Sequence, residues 1–445
     1  MSRNNNKRLF IVSLLKEIIK MKAELLLFAA ILFLPFCGDA NEQRVISTNS
    51  LVNTSHLDAL YQETNIEGEL MGIIHIYSDY PAYNWVGDDD EGIACVDDAS
   101  RAAIFYLRNY QLKKDSASLT KSERLIEFLL FMQSENGFFY NFIFEDHSIN
   151  RTHKNSINEP NWWSWRAMWA LSEGYKILKD VNIEFAEQIL SGLVKSIEAT
   201  KKSLQSDRTI KKINGIEFPS WLPSETASDQ ASVLVLAFLN YLKETKDTSV
   251  INYINNLCDG ILLMQKGDSF IVPFYAFLSW QNVWHAYGNS QSYALLKASK
   301  ILKRDDLRIA ALNEISFFYD YLLDENFLSS FTIEKDNDSF KFSTKNKFSQ
   351  IAYNFRPMIF ACLEAFELTC DSAYVFKSIE ITNWFFGKNV AGKQMYDPSS
   401  GRCFDGINSE TDVNMNSGAE STIEALLSLL AIEMNNVSKS FLNNY

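Results

Sequence analysis

The feature that most constrains the fold is a regular alternation of helical segments with connections of two lengths. Apolar residues recur at helical spacing through most of the chain, while strand-like alternation occurs only in short pieces. Short connections such as "KKDSAS" and "KDVN" take turns with long ones of 14 residues or more, such as "KGDSFIVPFYAFLS". Helices are predicted at residues 55–79, 97–113, 119–134, 161–179, 182–204, 225–244, 248–265, 280–302, 305–324, 348–369, 371–387 and 418–435.

This alternation predicts an all-α protein. Helices joined by tight turns are antiparallel neighbours, so strictly alternating connections bring every long loop to the same end. We therefore expect an (α/α)6 toroid of about twelve helices with its long loops on one face. An irregular all-α protein or an open solenoid is the alternative. Short β-pieces are expected near residues 136–144 and 329–342, where aromatic and β-branched residues cluster.

The amino-terminal segment has the composition of an export signal. The apolar run "LLLFAAILFLPF" follows Lys20 and Lys22 and ends directly before Cys37. Residues 1–37 are therefore predicted to be a signal peptide of lipoprotein type, lipidated at Cys37, and Met21 is an alternative start. A cleaved secretion signal and an uncleaved anchor are the other readings. Residues 38–54 would be a polar tether, and residues 55–445 one domain, exported and monomeric, in the bacterial periplasm or on the cell surface.

Charge and cysteine content exclude several classes of function. Residues 1–37 hold six Lys/Arg and two Asp/Glu, so 36 basic and 53 acidic residues remain, a formal charge of −17. Such an acidic surface repels phosphate backbones, which argues against nucleic acid as a partner. The five remaining cysteines are scattered and never spaced as CxxC, so neither a disulfide framework nor a zinc site is expected. We expect no metal and no cofactor.

Each long loop brings acidic and aromatic residues to the start of the helix that follows it. Aromatic faces suit the C–H faces of sugar rings, and paired carboxylates suit acid–base chemistry. Capping of the individual helices by these acids is the alternative explanation. The candidates, in chain order, are Asp89, Asp97, Asp98, Glu159, Trp162, Trp163, Glu225, Trp280, His285, Tyr353, Arg356, Asn416 and Glu420. His285 stands alone, and a lone histidine on such a face is more often structural than a ligand.

Several longer motifs resemble the six-hairpin glycosidase superfamily. They are "VDDASRAAIFYL", "WWSWRAMWALSEG", "IAYNFRPMIFACLEAF", "WFFGKNVAGKQMYDPSSGRCFDGI" and "NMNSGAESTIEALLSLLA". The resemblance covers roughly residues 80–435 and implies a toroid that acts on carbohydrates. Related bacterial sequences often carry an acidic, histidine-bearing segment just before the second motif, where this chain has Trp162, Trp163 and Ser164.

These observations lead to a glycoside hydrolase as the first hypothesis, with an inverting two-carboxylate mechanism. Glu159 or Glu420 would be the general acid, and Asp97 or Asp98 the base. A second hypothesis is a polysaccharide lyase or sugar epimerase that uses Tyr353, Arg356 and His285. A third is a surface lipoprotein that binds glycan without catalysis.

Overall fold

The computed structural model describes residues 50–204 and 207–441, and the predicted signal peptide with Cys37 lies outside these residues. Within them, six helices form a closed inner ring in which each packs on the next and the last returns to the first. These helices are α2 (Val96–Lys113), α4 (Trp162–Leu178), α6 (Ser228–Thr245), α8 (Gln291–Leu302), α11 (Arg356–Thr369) and α13 (Ala419–Met434).

Five of the inner helices are each followed by an antiparallel outer partner. The outer helices are α3 (Ser116–Phe131), α5 (Ile183–Ser203), α7 (Ile251–Met264), α9 (Asp305–Asn313), which continues through a π-helical turn into α10 (Tyr319–Asp324), and α12 (Ser372–Thr382). Short helices flank the ring at α1 (Ser55–Leu60) and α14 (Asn436–Lys439). The predicted alternation of short and long connections therefore produces a ring with all inner amino termini at one end, which we call the mouth.

The long connections contain β-structure, so the prediction of an all-α protein is confirmed only in part. The strands are β1 (Tyr61–Ile66), β2 (Glu69–Ile74), β3 (Tyr77–Asp79), β4 (Asn84–Val86), β5 (Ala94–Cys95), β6 (Phe142–Ile143), β7 (Ile210–Ile213), β8 (Ile216–Pro219), β9 (Val283–His285), β10 (Ser330–Asp336), β11 (Ser339–Asn346), β12 (Gln350–Ile351), β13 (Tyr396–Asp397), β14 (Arg402–Cys403), β15 (Gly406–Ser409) and β16 (Asp412–Asn414). They pair antiparallel in two-stranded sheets and in the three-stranded sheets β11–β10–β9 and β12–β15–β16. The short β-pieces predicted near residues 136–144 and 329–342 are confirmed by β6, β10 and β11.

The helix predicted at residues 55–79 is wrong beyond Leu60. There the chain forms the hairpin β1–β2, whose register pairs Tyr61 with Ile74 and Ile66 with Glu69. The two residues between the strands, Glu67 and Gly68, have positive φ values of 54° and 96°. Successive left-handed residues make a tight hairpin turn and end a helix. The twelve-helix count is therefore not reproduced.

Helix capping differs between the two layers of the ring. At the short connections, Asp115, Asn182 and Asp371 accept hydrogen bonds from backbone N–H groups in the first turns of α3, α5 and α12. Of the inner helices, α4, α6, α8, α11 and α13 begin without a hydrogen bond from their N-cap side chain. The positive ends of the inner helices therefore point at the mouth, where they favour negative charge.

The core lies between the two helical layers, and buried apolar side chains from the inner and the outer helices form it. Cys95, Cys258, Cys362 and Cys403 are buried free thiols, as expected for cysteines that serve as small apolar residues. None of the helices within the described residues is long and apolar enough to cross a membrane.

Candidate active site at the mouth of the ring

Arg101 lies where the first and last inner helices meet. It comes from the second turn of α2, and its Nη1 lies 3.2 Å from Asp98 Oδ1 and 2.9 Å from Glu420 Oε2. On the same guanidinium, Nε lies 3.7 Å from Glu424 Oε1. One buried arginine thus joins three carboxylates, two of which come from α13.

Arg356 and Glu424 form a second ion pair directly beneath this one. Arg356 begins α11, and its Nε contacts Glu424 Oε2 with both side chains almost completely buried. The guanidinium carbon lies 5.2 Å from the centre of the Tyr353 ring. A buried charge is stable only when it is paired, so Glu424 serves both Arg101 and Arg356. Arg356 therefore holds a carboxylate of the ring itself.

Asp97 has a different arginine as its partner. Arg166, in the second turn of α4, places Nη1 2.6 Å from Asp97 Oδ1, and its Nη2 donates to Tyr353 Oη at 3.2 Å. The same guanidinium lies 4.8 Å from the centre of the Trp162 ring. Gly288 approaches these two rings closely: a Cβ atom built on it would lie 3.0 Å from Trp162 and 3.2 Å from Tyr353 Oη.

Together these residues form one charged group, which we call the mouth cluster: Asp97, Asp98, Arg101, Arg166, Tyr353, Arg356, Glu420 and Glu424. The cluster has two layers. The Glu420 side chain is 43% exposed and that of Asp97 is 19% exposed. Arg101 is 4% exposed and Arg356 2% exposed. A ligand at the mouth would therefore meet the carboxylates of Glu420 and Asp97 first, with the arginines held behind them.

Burial raises the pKa of the Asp98 carboxyl to about 6, and the nearby charge of Glu420 adds to the rise while Arg101 opposes it. Cys95 Sγ, which lies 3.2 Å from Asp98 Oδ2, donates to this carboxylate. The mouth cluster thus holds one carboxyl that changes protonation in the mildly acidic range, next to the accessible Glu420.

A histidine–aspartate pair lies on the other side of the mouth. His285 Nε2 lies 2.9 Å from Asp229 Oδ2, and Nδ1 lies 3.0 Å from the backbone oxygen of Tyr287. Both ring nitrogens are therefore engaged by groups of the protein itself. Neither nitrogen is left for a substrate, which agrees with a structural role for His285.

Tyr287 connects this pair to the mouth cluster. Its ring stacks on His285 with centroids 3.8 Å apart, and its side chain is half exposed. Burial raises the pKa of the Tyr287 hydroxyl, and the charges of Asp229 and Glu420 add to the rise. A carboxylate of the histidine–aspartate pair and one of the mouth cluster therefore both raise the pKa of Tyr287. The Tyr287 ring supplies an exposed aromatic surface between the two groups.

Other candidates from the sequence lie apart from the mouth cluster. Glu225 precedes α6 in a left-handed turn, and its carboxylate is paired with Lys211 at 2.7 Å. Glu159 is exposed ahead of α4, and its backbone oxygen accepts from Ser164 Oγ. Asp89 is exposed in the first long loop. Among the described residues, no ion pair or hydrogen bond joins Glu225 or Glu159 to the mouth cluster, so a role for either in the site stays a prediction.

The remaining aromatic and amide candidates have separate roles. Trp163 is buried and donates from Nε1 to the Phe139 oxygen, so it belongs to the core and Trp162 alone faces the cluster. Trp280 is exposed, and its Nε1 donates to the Ser224 oxygen. Asn416 Oδ1 accepts from the backbone N–H of Tyr80 at 3.0 Å, which ties the β3–β4 hairpin to the start of α13.

Four charged residues of the site had no role in the sequence-based prediction, although a signal for each is present. Arg101, Arg166 and Glu424 each follow a predicted site residue by four positions, namely Asp97, Trp162 and Glu420. Residues four apart lie on the same helix face. Asp229 lies in the first turn of α6, where Glu225 had been expected.

The described residues contain no group of three or more His, Cys, Asp and Glu side chains arranged to hold a metal ion. In the mouth cluster, arginines occupy the space between the carboxylates. The arrangement can hold accessible carboxylates in fixed orientations, and it can accept hydrogen bonds from a polar ligand.

The fold is shared with enzymes of three different sugar chemistries. A sugar epimerase from a ruminal bacterium matches 87% of this chain and 98% of its own, with a TM-score of 0.62 and 12% identity. The chain has the (α/α)6 fold of the six-hairpin glycosidase superfamily. A D-mannose isomerase matches 88% of this chain and 100% of its own, with a TM-score of 0.58 and 10% identity. An endoglucanase from the termite Nasutitermes takasagoensis matches 86% of this chain and 97% of its own, with a TM-score of 0.50 and 11% identity.

At such low identity these likenesses show the fold alone. No family model matches the chain, and no curated protein matches it. The resemblance to the six-hairpin superfamily that the motifs suggested is confirmed at the level of the fold.

Proposed function

We propose that this protein is a glycoside hydrolase whose reacting groups are Glu420 and Asp97. The observation that carries this proposal is the layering of the mouth cluster, in which these two carboxylates are accessible while buried arginines hold each of them from behind. Hydrolysis of a glycosidic bond uses one carboxylic acid to protonate the leaving oxygen and a second carboxylate to activate water or attack the sugar.

The surroundings of the two carboxylates support different roles for them. Asp97 contacts Arg166 at 2.6 Å, and this contact fixes the orientation of the carboxylate that we propose as the base. Glu420 shares Arg101 with Asp98 and Glu424, so three carboxylates contact a single guanidinium. The Glu420 side chain is 43% exposed against 19% for Asp97, so it is the more accessible of the two to the leaving oxygen of a bound sugar, and we propose it as the general acid. We propose inversion of configuration, with water placed between Asp97 and the sugar.

The same layering supports a neutral sugar as the substrate. Hydroxyl groups donate hydrogen bonds to carboxylates, and a uronic acid would meet Glu420 and Asp97 before it could reach any arginine. Trp162, Tyr287 and Trp280 supply aromatic faces of the kind on which sugar rings stack. The lyase hypothesis required an acidic sugar held by Arg356, which is instead buried against Glu424.

Sugar epimerisation or isomerisation is the second candidate, because the epimerase and the isomerase match the fold with higher TM-scores than the endoglucanase does. That chemistry moves a proton at the carbon next to a carbonyl group. Glu420 and the hydroxyl of Tyr353 or Tyr287 would be the groups in reach. The engaged nitrogens of His285 disfavour a histidine base.

One experiment separates these candidates. A panel of neutral and acidic oligosaccharides is incubated with the protein in D2O and followed by proton NMR. Hydrolysis produces new reducing ends, and the first anomer formed reports inversion or retention. Epimerisation or isomerisation incorporates deuterium at the carbon next to the carbonyl group and produces no new reducing ends. Binding without either signal, observed by calorimetry for the same sugars, would instead support the glycan-binding lipoprotein.

Export and lipid anchoring remain part of the proposal. The apolar run before Cys37 supports a lipidated, membrane-attached protein. Replacing Cys37 by serine in the producing cell should release the protein from the membrane fraction. Unchanged attachment of the Cys37→Ser protein would show an uncleaved anchor instead.

A further inference from the structure

A cavity lies on the ring axis at the end opposite the mouth. Its volume is about 400 Å³, and all six inner helices contribute to its walls near their carboxyl-terminal ends. On α2, Arg108 in this cavity follows Asp97 of the mouth by eleven residues, which corresponds to about 17 Å along a helix. We call this space the basal cavity.

The basal cavity is strongly basic. Five cations line it, against the two carboxylates of Glu173 and Glu364, which leaves a formal surplus of three positive charges. The cations are Arg108, Lys176, Lys243, Lys297 and Lys300. The chain as a whole has a formal charge of −13, so this concentration does not reflect overall composition.

Three of these cations are held in place. Arg108 Nη2 lies 2.9 Å from Glu173 Oε1, and Lys176 Nζ lies 3.5 Å from Glu173 Oε2. Lys297 Nζ lies 3.0 Å from Glu364 Oε2. The ion pairs found within residues 50–204 and 207–441 assign no carboxylate to Lys243 or Lys300, which are exposed at the rim.

The charges in the cavity affect one another. Burial raises the pKa of Glu173, but Arg108 and Lys176 outweigh burial and bring this pKa to about 2. The pKa of Lys297 is raised by Tyr293 and by Glu364, while burial and the positive charge of Arg108 oppose this rise. Like charges that converge on one space repel each other, and an anion that entered this space would reduce the repulsion.

We propose that the basal cavity is a binding site for a small multivalent oxyanion, such as a phosphate ester or a diphosphate, with Lys243 and Lys300 closing on the anion from the rim. This proposal is independent of the hydrolase assignment, because the residues involved lie at the other end of the ring. The competing explanation is that the lysines only balance the negative ends of the six inner helices, each worth about half a charge.

The test uses pyrophosphate as the probe, with ionic strength held constant by chloride. We expect saturable binding by calorimetry and a rise of the melting temperature with pyrophosphate concentration. The double variant Lys243→Gln/Lys300→Gln should bind at least tenfold more weakly. Lys243→Arg/Lys300→Arg, which keeps both charges, should retain binding.

The matched control is Lys195→Gln/Lys202→Gln, which removes the same charge from exposed positions on the outer helix α5. It should bind as the unmodified protein does. Absence of saturable binding by the unmodified protein would overturn the proposal. Equal weakening in the control, or unchanged binding in the Lys243→Gln/Lys300→Gln protein, would do so as well and would leave helix-end neutralisation as the role of these lysines.

Discussion

Glu420 and Asp98 contact the same nitrogen of one arginine, although they come from the last and the first inner helices of the ring. Arg101 Nη1 lies 2.9 Å from the first carboxylate and 3.2 Å from the second. The contact that closes the ring is therefore also the contact that orients the most accessible carboxylate of the mouth cluster. The proposed active site is therefore complete only when the last helix is packed against the first.

Glu420→Gln should abolish turnover without unfolding the protein. The substitution keeps the shape of the side chain and removes its proton chemistry, and loss of a general acid costs about 100-fold to 10,000-fold in rate. Because the side chain is 43% exposed, we expect little change in thermal stability. The measurement is the rate of reducing-end release together with a circular-dichroism melt.

Glu225→Gln is the matched control for this substitution, since Glu225 also lies near the start of an inner helix but its carboxylate is paired with Lys211. It should keep full activity. Equal loss of activity in both proteins would remove Glu420 from its proposed role.

Glu424→Gln should be strongly destabilising. It would leave the buried Arg356, and part of the charge of Arg101, without a counter-charge, and breaking a buried ion pair in this way costs about 3–5 kcal/mol. Urea denaturation gives the free energy of unfolding. The control Glu334→Gln breaks the exposed pair with Lys341 and should cost about 1 kcal/mol or less. Similar losses in the two variants would contradict this account of the buried pair.

Sequence periodicity was sufficient to predict the ring but not its first element. Apolar residues at helical spacing predicted each inner helix, because each buries one face against its neighbours. The segment "YQETNIEGELMGII" was predicted as helix, yet it forms β1–β2. Its turn at Glu67 and Gly68 requires two left-handed residues, and a glutamate before glycine is a weaker signal for this than Asn-Gly or Asp-Gly.

For the candidate site, the sequence predicted acidic residues in the first turns of two inner helices and missed the charged residues one turn further along. Asp97, Asp98 and Glu420 were found because long loops deliver them to the same end of the ring. Their partners Arg101 and Arg166 lie one turn further into helices that are otherwise buried. Which carboxylate each arginine contacts depends on the closure of the ring, which brings residues from distant parts of the chain together. No local pattern in the sequence reports this.

Gly288→Ala should reduce activity in addition to the stability that backbone strain costs. Gly288 has φ +75°, and the added methyl group would displace the Trp162 ring and the Tyr353 hydroxyl. Gly68→Ala is the control, because Gly68 has φ +96° with no atom within 4 Å of the added carbon. Both proteins should lose about 1–2 kcal/mol from backbone strain. Only the Gly288 variant should also lose activity, by about tenfold or more, when kcat/KM is compared. Equal activity of the two variants would show that the Trp162–Tyr353 contact is not part of the site.

The pH dependence of stability should reveal Glu314, a buried carboxyl in the π-helical turn between α9 and α10. It accepts hydrogen bonds from the Phe277 N–H at 2.8 Å and from Ser292 Oγ at 2.6 Å. Burial nevertheless raises its pKa from 4.5 to about 7. The folded protein therefore favours the protonated form more than the unfolded chain does.

This contribution of Glu314 to stability is complete below about pH 4.5 and is lost as the pH rises towards 7. The shift corresponds to roughly 3 kcal/mol. Glu314→Gln has no proton to lose, so its free energy of unfolding should improve relative to the unmodified protein by about that amount between pH 4 and pH 8. Urea denaturation of both proteins across this range measures the difference, in which the contributions of all other titrating groups cancel. Parallel curves would mean that the pKa of Glu314 is the same in the folded and the unfolded protein, and that its two hydrogen bonds offset its burial.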